Sequence, residues 1–244
     1  QSIRELGGEA VANADSVSSW EGARRLVDTA VEHFGALHVL VNNAGIRRDG
    51  VIVNTTEEDW DQVVDVHLKG HFCPLHWAAR HWREQSKAGI PVAAAVVNTS
   101  SGSGLFGSSG QANYSAAKAG ILALTLVAAR ELPRYGVRVN AIAPLARTRL
   151  TEATPGLSDR IKAPTDTEQF DTFDPANVSP LVAYLATEHC PFNGQVFGIS
   201  GGQLMHDVGW TVAERFVKED RWEIAELEAT MKGLPVEPPP FPVG

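Results

Sequence analysis

Three apolar runs, residues 37–42, 92–98 and 137–142, limit this chain's possible folds more than any other feature. The first two do not alternate apolar with polar, and the third is interrupted only by Arg138 and Asn140. Runs of this kind suit strands buried on both faces of a parallel sheet. Parallel neighbours need a crossover of a dozen residues or more, and helical patterns fill the intervals. Trp20, Ala23, Val27, Ala30, Val31 and Phe34 recur at helical spacing and predict an amphipathic helix over 19–34. Thr55-x-x-Glu58 reads as a capping box opening a long helix to about Glu84. A third helix is expected from 111 to about 134, with Gly136 ending the connection, and a fourth over 178–187 before a last strand at 195–199. The chain opens inside a helix stopped by Gly7-Gly8, and residues 10–14 read as a short strand. Strands alternating with helices predict an α/β fold, a doubly wound parallel sheet covered on both faces. Residues 150–174, polar and rich in Thr, Pro and Asp, read as a mobile loop or lid. Beyond Gly201-Gly202, Trp210 and Trp222 sit at helical spacings, and 234–244 is a proline-rich, extended tail. The expected organisation is one domain over 1–202, with 203–244 as its helical extension and tail.

With 244 residues, 43% hydrophobic and 20% charged, the chain has enough material for one sizeable core. A net charge of −8 without a basic cluster argues against nucleic acid. Cys73 and Cys190 form no metal or redox motif and read as free thiols in a reducing compartment, which points to the cytoplasm. No apolar run approaches the length of a membrane span, and the longest, 119–129, is interrupted by Thr125 and reads as a core helix. His71, His76, His81 and His206 show no metal-ligand pattern and read as solvated or core-edge residues, with Trp60, Trp77 and Trp82 as packing residues.

The chemistry is concentrated in Gln111-Ala112-Asn113-Tyr114-Ser115-Ala116-Ala117-Lys118. A spacing of four places the Tyr114 phenol and the Lys118 ammonium one turn apart on one helix face. A free phenol, with a pKa of about 10, is a poor base at neutral pH, and a nearby cation favours the phenolate. Ser101, at the end of an apolar run, is placed to hold a substrate oxygen beside it. This set suits proton transfer as a hydroxyl becomes a carbonyl. The pattern YxxxK is common by itself, and a serine in such a loop often only satisfies backbone groups.

Other motifs sharpen the reading. Leu40-Val41-Asn42-Asn43-Ala44-Gly45, Val96-Val97-Asn98-Thr99-Ser100-Ser101-Gly102 and Val137-Arg138-Val139-Asn140-Ala141-Ile142-Ala143-Pro144 each close a strand and open a loop. With the Tyr114 helix, and in this order from about Gly7 to Gly202, they resemble the short-chain dehydrogenase/reductase family. Residues 10–17, Ile46-Arg47-Arg48-Asp49, Val66-His67-Leu68-Lys69-Gly70 and 110–118 look most like its (3R)-hydroxyacyl-CoA dehydrogenase branch.

The resemblance implies a Rossmann-like sheet and an oxidoreductase moving a hydride between a nicotinamide cofactor and a secondary alcohol or ketone. The expected substrate is a 3-hydroxyacyl thioester. A hydroxysteroid or other bulky alcohol is the alternative substrate, and a non-catalytic subunit the alternative class. Tyr114 is implied as the acid/base. Lys118 would lower its pKa and bond the nicotinamide ribose, and Ser101 would polarise the substrate oxygen. His67 replaces the family's usual asparagine and would either support a proton-relay water or cap a neighbouring carbonyl. Asn43, Ala44 and Gly45 would lie beside the adenosine ribose. Asp15 and Ser16 would bracket the adenine, although Asp15 reads equally well as a helix N-cap. Pro144 would end its strand beside the nicotinamide and Thr148 would reach the carboxamide or the phosphates, with Leu145 standing where the family usually has glycine. The implied cofactor is NAD, with NADP open, and the implied assembly a homodimer or homotetramer. A dinucleotide fold also needs a first strand, a glycine-rich turn and a helix that receives the pyrophosphate. The reading therefore expects about two further β-α units ahead of Gln1, and weak cofactor binding without them.

Overall fold

The structure, a computed structural model, describes residues 2–152, 158–166, 168–209 and 211–236. A single helical turn, α1 (Ser2–Glu5), precedes an irregular stretch leading to α2 (Trp20–Phe34). Ser19 caps α2 by accepting from the Gly22 amide at 3.1 Å. β1 (Val39–Asn42) follows, then α3 (Glu57–Val64), a π-helical turn (Asp65–Lys69) and α4 (Gly70–Lys87). The rest runs β2 (Ala94–Thr99), α5 (Gly102–Phe106), α6 (Ala112–Glu131), β3 (Val137–Pro144), α7 (Arg149–Glu152), α8 (Ser179–Ala186), β4 (Val196–Ser200), β5 (Gln203–Asp207) and α9 (Ile224–Met231).

The sheet order is β1-β2-β3-β4-β5, parallel through β4, with β5 turned back antiparallel. Val41 pairs with Val97, and Asn98 with Ala141, so the C-terminal ends of β1, β2 and β3 form one edge. Successive residues of β2 serve opposite faces. Val96 joins Leu40, Leu75, Ala78, Trp82, Ala128 and Val139 beneath α4 and α6, whereas Val97 joins Ile142, Leu181, Leu185, Phe197 and Ile199 beneath α8. Trp82 is buried and its indole N–H donates to the Leu37 carbonyl at 2.6 Å. Asparagines join the layers: Asn42 donates to Asn98 at 3.0 Å, and Asn98 donates to the Thr125 hydroxyl of α6 at 2.9 Å. These pairs satisfy groups that would otherwise be costly inside a core.

Several expectations change. Residues 10–14 form no strand, because no described strand lies alongside to pair with them; the Arg4 guanidinium binds the Ala10 carbonyl instead, with Nε at 3.2 Å. Coverage of the second face stops short of β1, where Val39 and Val41 are exposed. The long helix expected over 55–84 is broken by the π turn, and its N-cap is Thr56, which accepts from the Asp59 amide at 3.1 Å, not Thr55. After Gly201-Gly202 comes strand β5, where a helical extension was expected, and the helix appears only at Ile224–Met231. Trp210 and residues 237–244 lie outside the described residues, as do 153–157 and 167 of the expected loop. By length and composition α6 could cross a bilayer, yet it packs on β2 and β3 and buries Asn113, Lys118 and Thr125, the position of a core helix. Both cysteines are buried and free. His71 is fully buried, not solvated, and Trp60 is exposed, not packed.

Candidate active site

A cleft of about 1000 Å³ opens at the C-terminal edge of β1, β2 and β3, where ligands bind in open α/β sheets. Val41 lines it from the end of β1, Asn43, Gly45 and Arg47 from the loop that follows, and Thr99 and Ser100 from the end of β2. Tyr114 and Lys118 enter from α6, and Pro144, Thr148 and Arg149 from the segment after β3.

Asn113 sets the entry of α6. Its side-chain amide donates to the Arg48 and Asp59 carbonyls at 2.9 and 3.2 Å, while its oxygen accepts from the Tyr114 amide at 2.7 Å. Ser101 caps α5 by accepting from the Ser103 amide at 3.2 Å, and its hydroxyl stands near enough to the Tyr114 phenol to favour the phenolate. The short α5 lies hard against α6: a Cβ at Gly104 would stand 2.7 Å from the Lys118 backbone. This contact brings Ser101 within reach of Tyr114.

Burial pushes the Tyr114 phenol above its usual range, while the Ser101 hydroxyl and the Arg47 guanidinium pull it down. Lys118 is not the cation that depresses it here. Buried, with its ammonium donating to the Thr99 carbonyl at 2.6 Å, Lys118 is itself brought down to about 7. The ammonium lies 5.6 Å from the Tyr114 ring centre.

His67 sits in the π turn, a frequent device at functional sites. Its ring stands edge-on to Tyr114 with centres 5.1 Å apart. Nε2 lies 2.7 Å from the Ile46 carbonyl and 3.1 Å from the Ile46 amide, while Nδ1 is buried without a partner among the described residues. Burial, then Lys118, holds the ring neutral with a pKa of about 4. Gly45 is the companion of this ring: a Cβ there would come within 2.5 Å of His67 Cε1.

The other expected residues divide. Asn43, Gly45, Pro144 and Thr148 line the cleft, and Ala44 is exposed between the first two. Asp15 and Ser16 do not. The Asp15 carboxylate is held by Arg25 and by Asn13 at 3.2 Å, well below the usual carboxylate range, and Ser16 bonds Ser18 at 3.1 Å. Nor is Asp15 the N-cap of α2, a role that Ser19 takes.

Arg47, Arg48, Asn113 and His71 were not assigned roles from sequence. Only an asparagine beside the tyrosine at a helix start, and two arginines directly after an Asn-Ala-Gly turn, offered a signal.

A parallel α/β sheet with a serine, tyrosine and lysine gathered at its strand ends defines a dinucleotide-dependent oxidoreductase. The chain belongs to the short-chain dehydrogenase family, whose model matches residues 1–158. It is 43% identical to the hydroxyacyl-CoA dehydrogenase ChsB1 of Mycobacterium tuberculosis, over 93% of this chain and 72% of that protein. It is 42% identical to the mouse peroxisomal multifunctional enzyme type 2, over 83% of this chain but only 25% of that enzyme. A crystal structure of a short chain dehydrogenase from Mycobacterium avium superposes with a TM-score of 0.86 at 49% identity, covering 98% of this chain and 78% of the other.

The family uses a nicotinamide cofactor, and the cleft fits its nicotinamide-ribose end. Thr99 Oγ1 is buried with no hydrogen-bond partner among the described residues, beside the Lys118 ammonium. At the adenine end the expected carboxylate is already committed to Arg25.

Proposed function

We propose that this chain interconverts a 3-hydroxyacyl thioester and its 3-oxoacyl counterpart, with NAD as the cofactor, in cytoplasmic lipid metabolism. The observation that carries the proposal is the placement of Tyr114 and Lys118 in a cleft of one charge sign, with Ser101 beside the phenol. Among its described lining residues Arg47, Arg48, Lys118 and Arg149 are basic and none is Asp or Glu, in a chain of net charge −8. Acyl thioesters of coenzyme A and nicotinamide dinucleotides are both polyanions, and a cationic cleft favours them. The names of the relatives support the acyl-CoA assignment, and NAD is preferred to NADP on the same ground.

When bound, the cofactor would accept the hydride in the oxidative direction and, in its reduced form, donate it in the reductive one. Ser101 holds the substrate oxygen beside Tyr114. In the oxidative direction the Tyr114 phenolate takes the hydroxyl proton; in the reductive direction the phenol returns it. Lys118 and Thr99 would hold the ribose, Pro144 and Thr148 would serve the nicotinamide end, and Asn43, Ala44 and Gly45 would serve the adenosine ribose. His67 holds the Ile46 backbone and keeps a bare ring nitrogen near the proton path.

Purified protein assayed with 3-hydroxyacyl-CoAs, steroid alcohols, NAD and NADP tests the assignment. Tyr114→Phe should lower kcat about 10²–10⁴-fold, the usual worth of a general acid, with cofactor affinity nearly unchanged. Retention of more than about a tenth of the activity would remove Tyr114 from the reaction. We further propose a homodimer or homotetramer, supported by exposed Leu126 and Val127 on α6 and Phe72 on α4; sedimentation as a single 26.2 kDa species would exclude it.

A further inference from the structure

Above Tyr114 lies an ion pair that the proton-transfer scheme does not use. The guanidinium carbon of Arg47 is 5.1 Å from the centre of the phenol ring. Two of its nitrogens meet Asp49 fork to fork, Nε to Oδ1 at 3.2 Å and Nη2 to Oδ2 at 2.7 Å. The Arg47 side chain is only 12% exposed and that of Asp49 26%, so solvent screens the pair less than an open surface bridge.

The loop carrying the pair is fixed at the start of the tyrosine's own helix. The Gly50 amide donates to the Gly110 carbonyl at 2.8 Å, and Asn113 holds the Arg48 carbonyl. Guanidinium, carboxylate and phenol are therefore built on one clamped unit. A planar guanidinium can stack on a ring face, which an ammonium does less well.

We propose that Arg47 and Asp49 are a positioning pair that sets the acidity of Tyr114. The guanidinium favours the phenolate, and the carboxylate holds the guanidinium over the ring while offsetting part of its charge. The proposal rests on the reading of Tyr114 as the proton-transfer group.

The other groups around the phenol leave this role open. Ser101 contributes a neutral hydroxyl. His67, from the π turn, is held neutral. Lys118, further along α6, holds its ammonium on the Thr99 carbonyl 5.6 Å from the ring centre, and with a pKa of about 7 it is uncharged where a phenol titrates. Arg48 turns to Gln62 at 3.1 Å and lies 4.0 Å from Asp59. Arg147, after β3, is paired with Asp171. Of the charges near the ring, Arg47 pulls the phenol down and Asp49 pushes it up.

The signs provide the test. Arg47→Gln removes the cation and leaves the carboxylate, so the Tyr114 midpoint should rise. Asp49→Asn, nearly isosteric, leaves the guanidinium uncompensated, so the midpoint should fall. A charge at this range moves a pKa by about one unit or more. The chain has three tyrosines, and tyrosinate absorbance, with Tyr114→Phe as the blank, isolates one of them without substrate or cofactor. Shifts of about one pH unit in opposite directions, with partial restoration in Arg47→Lys, are the expected result. Shifts in the same direction, or an Asp49→Asn midpoint within about 0.3 unit of the parent, would overturn the proposal. If Arg47→Gln does not fold, the Asp49→Asn arm alone still decides. The kcat–pH profile should move with the phenol. A moved phenol with an unmoved profile would leave the pair's effect standing and remove Tyr114 as the proton carrier.

Discussion

Acid should destabilise this protein through His71. The ring is fully buried and neither nitrogen has a hydrogen bond among the described residues. Burial, then the Lys118 and His67 charges, drives its pKa from 6.5 to about 3, with the His67 and Thr99 carbonyls resisting. His67 falls likewise to about 4. A histidine depressed in the folded state contributes stability that is fully present above the unfolded value of 6.5. That stability is lost as pH falls toward the folded value, because the unfolded chain binds the proton first. Between pH 7 and 5 the loss is about 1.8 kcal/mol for each ring, roughly 4 kcal/mol together, at about 1.36 kcal/mol per unit. Urea unfolding at both pH values measures it. Replacing His71 with leucine should remove about half of the loss and leave the slope from His67. Carboxylates contribute mostly below this window and cancel between parent and variant. If His71→Leu loses as much stability as the parent between pH 7 and 5, within about 0.5 kcal/mol, the assignment of acid sensitivity to this ring is refuted.

Two further substitutions have definite signs. Lys118→Met should abolish turnover yet raise the urea midpoint, by about 1–2 kcal/mol in stability, because it removes a desolvated ammonium that keeps one hydrogen bond; a lower midpoint would contradict the burial argument. Gly45→Ala should destabilise by about 1–3 kcal/mol, since the new methyl meets a buried, hydrogen-bonded His67 ring; a thermal midpoint equal to the parent's would show that the ring can move.

Elements with strong local signals were legible. The apolar runs became β1 to β3, and the 3.6-residue pattern became α2 within a residue of its expected ends. Tyr114 and Lys118 share a cleft because their spacing determines it once the helix forms. Residues 10–14 were misread because a strand is defined by its neighbour, and apolar content does not reveal whether a neighbour is present. β5 was missed because its Gln203-Leu204-Met205-His206-Asp207 lacks β-branched residues and alternation. Its pairing comes from the tight turn at Gly201-Gly202. The Arg47–Asp49 pair is a tertiary feature: its meaning lies in what the guanidinium covers, and α6 supplies that from far along the chain.

The π turn at Asp65–Lys69 affects how the molecule tolerates change in length. An α-helix advances 100° per residue, and a π turn holds one residue more than the helix needs. That surplus resets the angular phase of the rod. It lets α3 face α6 while α4 faces α2 and β1. Removing a single residue from the turn would give an unbroken α-helix with good backbone geometry. It would leave residues 70–87 close to their present angular phase, with Ala78 and Trp82 still on the core, and would disturb mainly the turn itself and the hold of His67 on Ile46. A one-residue deletion is thus absorbed at this turn, whereas the same deletion within α4 would rotate everything beyond it by about 100°.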